Sequence, residues 1–259
     1  MSQKKQLSVS GKEYYRALYQ TDLEPEAEWL RRSATNKVDS IEELLLRNHV
    51  KSARLLELGS GPGAVIKECQ RRGLGNRYTA IDYSPEAIVY IKAHSTGIEA
   101  IQADITDKDF TSHEVFDVVL LSHVLEHLED PEGFLQAVGK SLSFQYVILE
   151  VPLEDLAAAR VKNVFRDRRI NTTGHVQFFT AGSFERMLER NGLRIIDRKT
   201  YVPILDRATI EFVVAKDRSS GRCMYLAKAL LARRLAILLR PLWAKYYYAH
   251  HAVLCVPAR

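Results

Sequence analysis

Three glycines in alternation, Gly59, Gly61 and Gly63, follow a short apolar run of Leu55, Leu56 and Leu58, and a carboxylate, Glu57, stands two residues before the first of them. A buried strand, a tight loop and a helix starting near Ala64 are the expected structure. Glycine in such a loop supplies backbone angles that other residues avoid and lets a ligand lie against the main chain, which suits a nucleotide-like cofactor. Gly59, Gly61 and Ala64 also satisfy the dinucleotide fingerprint G-x-G-x-x-G/A, but Glu57 would repel a pyrophosphate and Pro62 removes an N–H that one would use. A cofactor with a positive pole fits this loop better. A second carboxylate, Asp82, ends the next apolar segment 19 residues beyond Gly63, placed to accept hydrogen bonds from both ribose hydroxyls of a cofactor in the loop. Ser122 and His123 end a later apolar strand, and His175 lies further on. Histidine is the side chain suited to moving protons near neutral pH, so His123 and His175 are the candidate catalytic residues, with His175 the candidate base. His127, beside Glu126, reads as structural.

An acidic residue followed by G-x-G-x-G after the first strand, here Glu57, Gly59, Gly61 and Gly63, resembles the first motif of class I S-adenosylmethionine-dependent methyltransferases. The strings LSHVLEHLEDP (121–131) and GHVQFFT (174–180) are similar to the small-molecule subgroup, and the likeness spans about residues 38–202. The resemblance implies S-adenosyl-L-methionine as cofactor, S-adenosyl-L-homocysteine as product, and a small-molecule acceptor methylated on oxygen or nitrogen. It places Ser60 with the glycine loop and Tyr83 beside Asp82. Asp104 would bond the adenine amino group, with the Ile105 N–H addressing the ring, and Ser122 would complete the cofactor set. N-terminal helices would fold over the cofactor, bringing Tyr14, Tyr15 and Lys37 near it.

After the fourth strand the chain reads Ser122, His123, Val124, Leu125, not the Asp/Asn/Ser-Pro-Pro-aromatic motif of enzymes that methylate base amines, so nucleic acid is not the expected substrate. The Pro-Cys pair of cytosine-carbon methylation is missing, as is the acidic pair that holds magnesium in catechol-type enzymes, and no metal is expected. A NAD-dependent oxidoreductase and a non-catalytic S-adenosylmethionine-binding module are the alternatives from other classes.

The elements that must position these residues alternate strand and helix, as a parallel sheet with right-handed crossovers requires. The expected fold is a doubly wound α/β sheet of seven strands, mostly parallel, with an antiparallel last strand and a helical N-terminal cover. One domain is expected: cover 1–50, cofactor-binding core 51–202, and 203–259 carrying the last strands and a basic amphipathic helix. Short helices at 12–20 and 25–34 precede a third that Asn36 would cap and that ends near Asn48. Ser84 with Pro85, Asp130 with Pro131, and Thr180 are expected helix starts, and Gly192 a stop. The span from Asp155 to His175, with its four arginines, reads as an active-site cover. Both ATIEFVV (208–214) and HAVLCV (251–256) could be the seventh strand, with the C-terminal one favoured.

With 259 residues, 46% of them hydrophobic, the chain can bury a substantial core. It has neither a signal-like apolar start nor an apolar run of membrane-spanning length, which makes a cytosolic protein the expectation. Cys69, Cys223 and Cys255 form no metal-binding or disulfide pattern. The net charge of +5 is carried by the tail: residues 216–259 hold nine Lys or Arg against Asp217, leaving the rest at −3. On the stretch 223–245, a basic helix of mixed apolar faces could meet a membrane surface or an acidic partner.

Overall fold

Strand β1 (Arg54–Leu58) is the centre about which the other elements are laid down, in a computed structural model that describes residues 11–107, 110–158, 160, 173–216 and 222–258. Its apolar side chains leave no face for water, and Leu55 and Leu56 are wholly buried. Strands β2 (Arg77–Asp82) and β4 (Val115–Ser122) flank it in parallel, and β3 (Ile98–Gln102) and β5 (Ser143–Leu153) extend the sheet outward. The last two strands, β6 (Leu193–Tyr201) and β7 (Ala249–Pro257), complete the order β3-β2-β1-β4-β5-β7-β6. Since β7 runs antiparallel to both neighbours, the expected mixed seven-stranded sheet is the one observed.

Crossover helices cover both faces: α2 (Ala64–Arg71), α3 (Pro85–His94), α4 (Pro131–Ser141) and α5 (Ala181–Arg190). Their starts follow the residues expected. Ser84 accepts from the Ala87 N–H, Asp130 from the Gly133 N–H, and Thr180 forms a reciprocal cap with Ser183, each cap meeting a donor that the first helical turn leaves unpaired. Gly192 follows α5 at φ 76°, a conformation open to glycine.

Two local expectations are corrected. The N-terminal cover α1 (Gly11–Arg47) is two helices joined at a kink where Asp22 has non-helical angles (φ −137°, ψ 30°), so the expected first helix stands apart while the expected second and third run together. Pro25 lies three residues on, where a ring without an N–H would otherwise break the turn. Asn36 is therefore no cap but a mid-helix residue whose amide donates to the Ile204 carbonyl. The buried Val38, Ile41, Leu44 and Leu45 recur on one face and carry the helix across the sheet.

The second correction concerns ATIEFVV, which is helix α6 (Arg207–Lys216) and not a strand. Its β-branched composition is overruled at its start. Asp206 accepts from both the N–H and the hydroxyl of Thr209, and Phe212 lies under the Arg32 guanidinium of α1. The basic segment beyond it forms α7 (Arg222–Leu238) and α8 (Arg240–Tyr246), broken where Pro241 opens the second. No helix among the described residues is long and apolar enough to cross a membrane. Most of the arginine-rich cover expected at 155–175, namely 159 and 161–172, lies outside the described residues.

The favoured last strand is thus the real one, and it is inner: Ala252, Val253, Leu254 and Cys255 are wholly buried. Leu254→Ala would remove apolar contacts and leave a cavity between sheet and α1, so stability should fall by about 2–5 kcal/mol in urea titrations. A loss below about 1 kcal/mol would show that the strand is peripheral.

Candidate active site

The carboxyl ends of β1, β2, β3 and β4 open into a cavity of about 360 Å³, roofed by the start of α1, in the position where open α/β sheets hold ligands. Gly59, Gly61 and Gly63 all have positive φ, a cost borne easily by glycine alone. At Gly61 a Cβ would come within 2.6 Å of the Tyr19 hydroxyl, so the loop is shaped for close approach. Gly59, Ser60 and Gly61 line the cavity, whereas Gly63 caps α2 and packs towards Ile91.

Asp82 holds that loop in place. One carboxylate oxygen accepts from the Gly61 N–H at 2.7 Å and the other from the Ser84 N–H at 2.9 Å. The carboxylate keeps acceptor capacity for a hydroxyl in the cavity. Burial raises its pKa, opposed by these backbone bonds. Glu57 also faces the cavity but accepts from the Ile66 N–H of α2 at 2.9 Å. Burial, partly offset by that bond and by Lys37, pushes it up to about 8.

Tyr83, Asp104 and Ile105 form the wall at the β2 and β3 ends. Asp104 is already engaged: it pairs with Lys12 and accepts from the N–H and hydroxyl of Thr106. Burial disfavours its charge, but Lys12 and Thr106 outweigh it and lower the pKa. Lys12, which the sequence did not single out, fastens α1 to the cavity rim, and its carbonyl accepts from the Tyr83 hydroxyl at 2.9 Å. Tyr15 lines the cavity, and Tyr14 packs edge-on against it.

Two polar residues of the cavity lining have side-chain groups that are unanswered. Ser122 Oγ is buried without a hydrogen-bond partner among the described residues. Lys37, 8% exposed, lines the cavity and likewise makes no side-chain hydrogen bond among them; burial lowers its pKa although Glu150, Glu126 and Glu57 pull the other way. A glycine cradle, a ribose-placed carboxylate and a free ammonium suited to a carboxylate fit the parts of S-adenosylmethionine.

Beyond Ser122 the chain turns through His123 at φ 59°, unusual for a residue with a side chain. Its N–H donates to the Glu150 carbonyl at 2.9 Å, and its ring lies between carboxylates, Nδ1 3.0 Å from Glu126 and Nε2 3.1 Å from Glu150. The first contact lacks hydrogen-bond alignment, and both Glu126 oxygens stay without a hydrogen-bond partner among the described residues. Burial opposes ionisation of Glu126, but the charges of His123, His127 and His175 hold it at about 2. Glu150 is likewise depressed: His123 and His250 outweigh its burial.

His127, read from sequence as structural, stands in the cavity wall. Its Nδ1 faces the Gly174 carbonyl at 3.1 Å, so that nitrogen carries the proton; Nε2 is left as the acceptor, 3.2 Å from the Tyr15 hydroxyl. Burial, against the pull of Glu126, lowers it to about 4. His175 does not line the cavity. It packs behind His127, ring centroids 4.8 Å apart, with Nδ1 2.6 Å from Glu154. Burial lowers its pKa, yet Glu154 and Glu126 prevail and raise it. Two sets of possible metal donors result, His123, Glu150 and His250, and Glu126, His127 and His175, each within 4.8 Å of one another. In the first set, hydrogen bonds already join the side chains.

Residues 27–198 match the model of a family described as a methyltransferase domain. The chain belongs to that family. Among its relatives is the mitochondrial ubiquinone biosynthesis O-methyltransferase of Schizosaccharomyces pombe, 26% identical over 71% of this chain and 70% of that one. The Bartonella quintana ubiquinone biosynthesis O-methyltransferase is 25% identical over 60% and 67%. The fold is shared with a chain of the complex between the Haloferax volcanii Trm112 methyltransferase activator and its methyltransferase partner, at a TM-score of 0.62 and 13% identity over 95% and 98% of the chains. The plantazolicin methyltransferase BpumL gives 0.54 and 18% over 97% and 100%. This methyltransferase uses S-adenosylmethionine, which retires the dinucleotide oxidoreductase as an alternative.

The histidines of the site also set its acid stability. His127 and His250 are both held at about 4 against an ordinary 6.5, chiefly by burial. A depressed histidine is neutral when folded and binds protons first when unfolded, so its stabilisation is complete above pH 6.5 and is lost as pH falls towards 4. In urea titrations the histidine contribution to unfolding free energy should drop across that window by up to about 3 kcal/mol for each histidine fully shifted, against an opposite contribution from Glu57, whose raised pKa adds stability as pH falls. His250→Asn should flatten the drop; an equally steep profile in that variant would refute the assignment.

Proposed function

We propose that this methyltransferase methylates a hydroxyl of a small aromatic acceptor of the phenol or quinol kind. The observation that carries the reading is His127: a neutral imidazole in the cavity wall, its tautomer fixed by Gly174, presenting a lone pair where a tyrosine hydroxyl now sits. The acceptor hydroxyl would take the place of the Tyr15 phenol. The S. pombe and B. quintana relatives, named as ubiquinone biosynthesis O-methyltransferases, support the same acceptor class.

When bound, S-adenosylmethionine supplies an electrophilic methyl, and the protein's work is positional. In this reading Asp82 binds the ribose, Asp104 and the Ile105 N–H address the adenine, and Lys37 neutralises the amino-acid carboxylate. Glu57, Ser60 and the glycines hold the loop against the ligand, and Ser122 and Tyr83 close the wall. Tyr15 and the rest of α1 exclude water, which strengthens each polar contact beneath it. His127 Nε2 receives the acceptor's proton, and ionised Glu126, Oε1 3.9 Å away, favours the imidazolium that forms. His123 stays pinned between Glu126 and Glu150, and His175 with Glu154 orders the wall behind His127.

Two measurements test this. Asp82→Ala should weaken S-adenosylhomocysteine binding in calorimetry by at least tenfold, since each charge-assisted hydrogen bond is worth about 1.5–3 kcal/mol; unchanged affinity would move the cofactor site elsewhere. With labelled methyl donor and a panel of phenols, quinols and amines, phenolic acceptors should be methylated. His127→Ala should then lower kcat by about 10² to 10⁴ with cofactor affinity intact. A full loss in His175→Ala with little effect in His127→Ala would assign the base to His175, and methylation of amines alone would overturn the hydroxyl reading.

A further inference from the structure

The segment joining β6 to β7 is not required by the sheet. Tyr201, at the end of β6, pairs directly with His250, and Ala249 pairs with Leu153 at the carboxyl end of β5. A short turn could link such neighbours. The described residues between Tyr201 and Ala249 instead leave and re-enter the sheet at its carboxyl edge, on the side of the cavity, and carry α6, α7 and α8.

The outer face of α7 and α8 is apolar. Met224, Leu231, Leu235 and Leu238 recur at the three-, four- and seven-residue spacings of one helix face, and Leu242 continues the exposure on α8. Leu238 is 76% exposed, Leu231 58% and Leu242 57%. Exposed Lys228 and Arg234 flank that stripe, and exposed Arg240 and Lys245 continue the charge onto α8. From Arg222 to Ala258 there is no Asp or Glu. Tyr246 and Tyr247 are exposed at the end of α8, with Lys245 over the Tyr246 ring.

We infer that α7 and α8 lie on an anionic membrane surface, leucines in the acyl boundary and the cations at the headgroups. Long basic side chains flanking leucines reach back to headgroups, and tyrosines suit the boundary between lipid and water. A second copy of the chain is a poor occupant, since joining two such faces would bring cations together with no acid from either helix pair. Beyond α8, Tyr248 bonds His250 Nε2 at 3.1 Å, so the docked helices run straight into the histidine cluster. That continuity suits an acceptor drawn from the bilayer, a corollary that rests on the hydroxyl-acceptor reading, whereas the docking itself does not.

Flotation of the full chain with phosphatidylcholine vesicles, and with vesicles also containing phosphatidylglycerol, tests the docking. The protein should float with the anionic vesicles and stay behind with the neutral ones. Neutralising K228Q/R234Q/R240Q should weaken binding by roughly a hundredfold, and L238D/L242D should abolish it. Both variants should keep wild-type S-adenosylhomocysteine affinity in calorimetry, so that loss of docking is separated from loss of the cofactor site or of folding. Equal recovery with neutral and anionic vesicles, no flotation at all, or wild-type flotation by both variants would overturn the proposal. So would a sedimenting dimer that L238D/L242D dissociates without any vesicle binding.

Discussion

A carboxylate withdrawn from water near the end of a central strand has to be met by donors, or the fold would pay the cost of a bare buried charge. Glu150, 1% exposed, meets that demand from four directions. The hydroxyls of Ser40 on α1 and Tyr201 on β6 each donate to it at 2.8 Å, His123 Nε2 lies 3.1 Å away, and His250 Nδ1 on β7 lies 3.3 Å away. One charge thereby fixes the relative placement of the N-terminal helix, the β4 turn and the two final strands. It also holds His123 in its left-handed conformation and, through it, the path of the chain that brings His127 to the cavity. Removing the carboxylate would take the shared acceptor from Tyr201 and His123 in the interior, so the network stands or falls together.

The roof over the cavity is secured differently, by contacts that can be given up. Lys12 to Asp104 is an ion pair with both partners partly exposed, and such pairs contribute little net stability. Tyr15 reaches His127 through one hydrogen bond and an edge-on ring contact. By contrast the second half of α1 is clamped by wholly buried Val38 and Leu44. The break at Asp22 separates these halves. A helix anchored at one end and lightly pinned at the other can admit a cofactor by local opening, without disturbing the sheet.

Much of this was legible in the sequence where the cause was local. Glycine spacing, the carboxylate ending β2 and the Ser84, Asp130 and Thr180 caps depend on residues within a few positions of each other, and the structure has them as read. Where local signals competed, reading failed: Asn36 looks like a cap because the apolar face of Leu44 and Ile41 begins after it, yet that face continues back to Ala34 and Ala27 in one helix. ATIEFVV looks like a strand because its propensity outweighs a single capping aspartate on paper, though not in three dimensions. Least legible was the polar network. Ser40 and Glu150 are 110 residues apart, His123 and His250 127 apart, and no spacing rule connects them. His127 was set aside for the same reason: its exposure to the cavity depends on Tyr15 and Gly174, each about fifty or more residues away.

The place of the basic helices follows from topology as much as from their composition. An antiparallel last strand slotted between β5 and β6 needs only a reversal at the sheet's carboxyl edge, so whatever is inserted there leaves every strand pairing intact. Loop-closure entropy grows only slowly with length, and the register from Tyr201 to His250 onward is held by β5 on the other side of β7. The junction can therefore carry an acceptor-facing or surface-facing module that changes while the cofactor half of the sheet, β1 to β4, stays fixed. Its two ends are the residues that touch the Glu150 network, Tyr201 before it and Tyr248 with His250 after it. Any movement of the module on a surface would thus be felt first at the histidines and only then at the glycine loop.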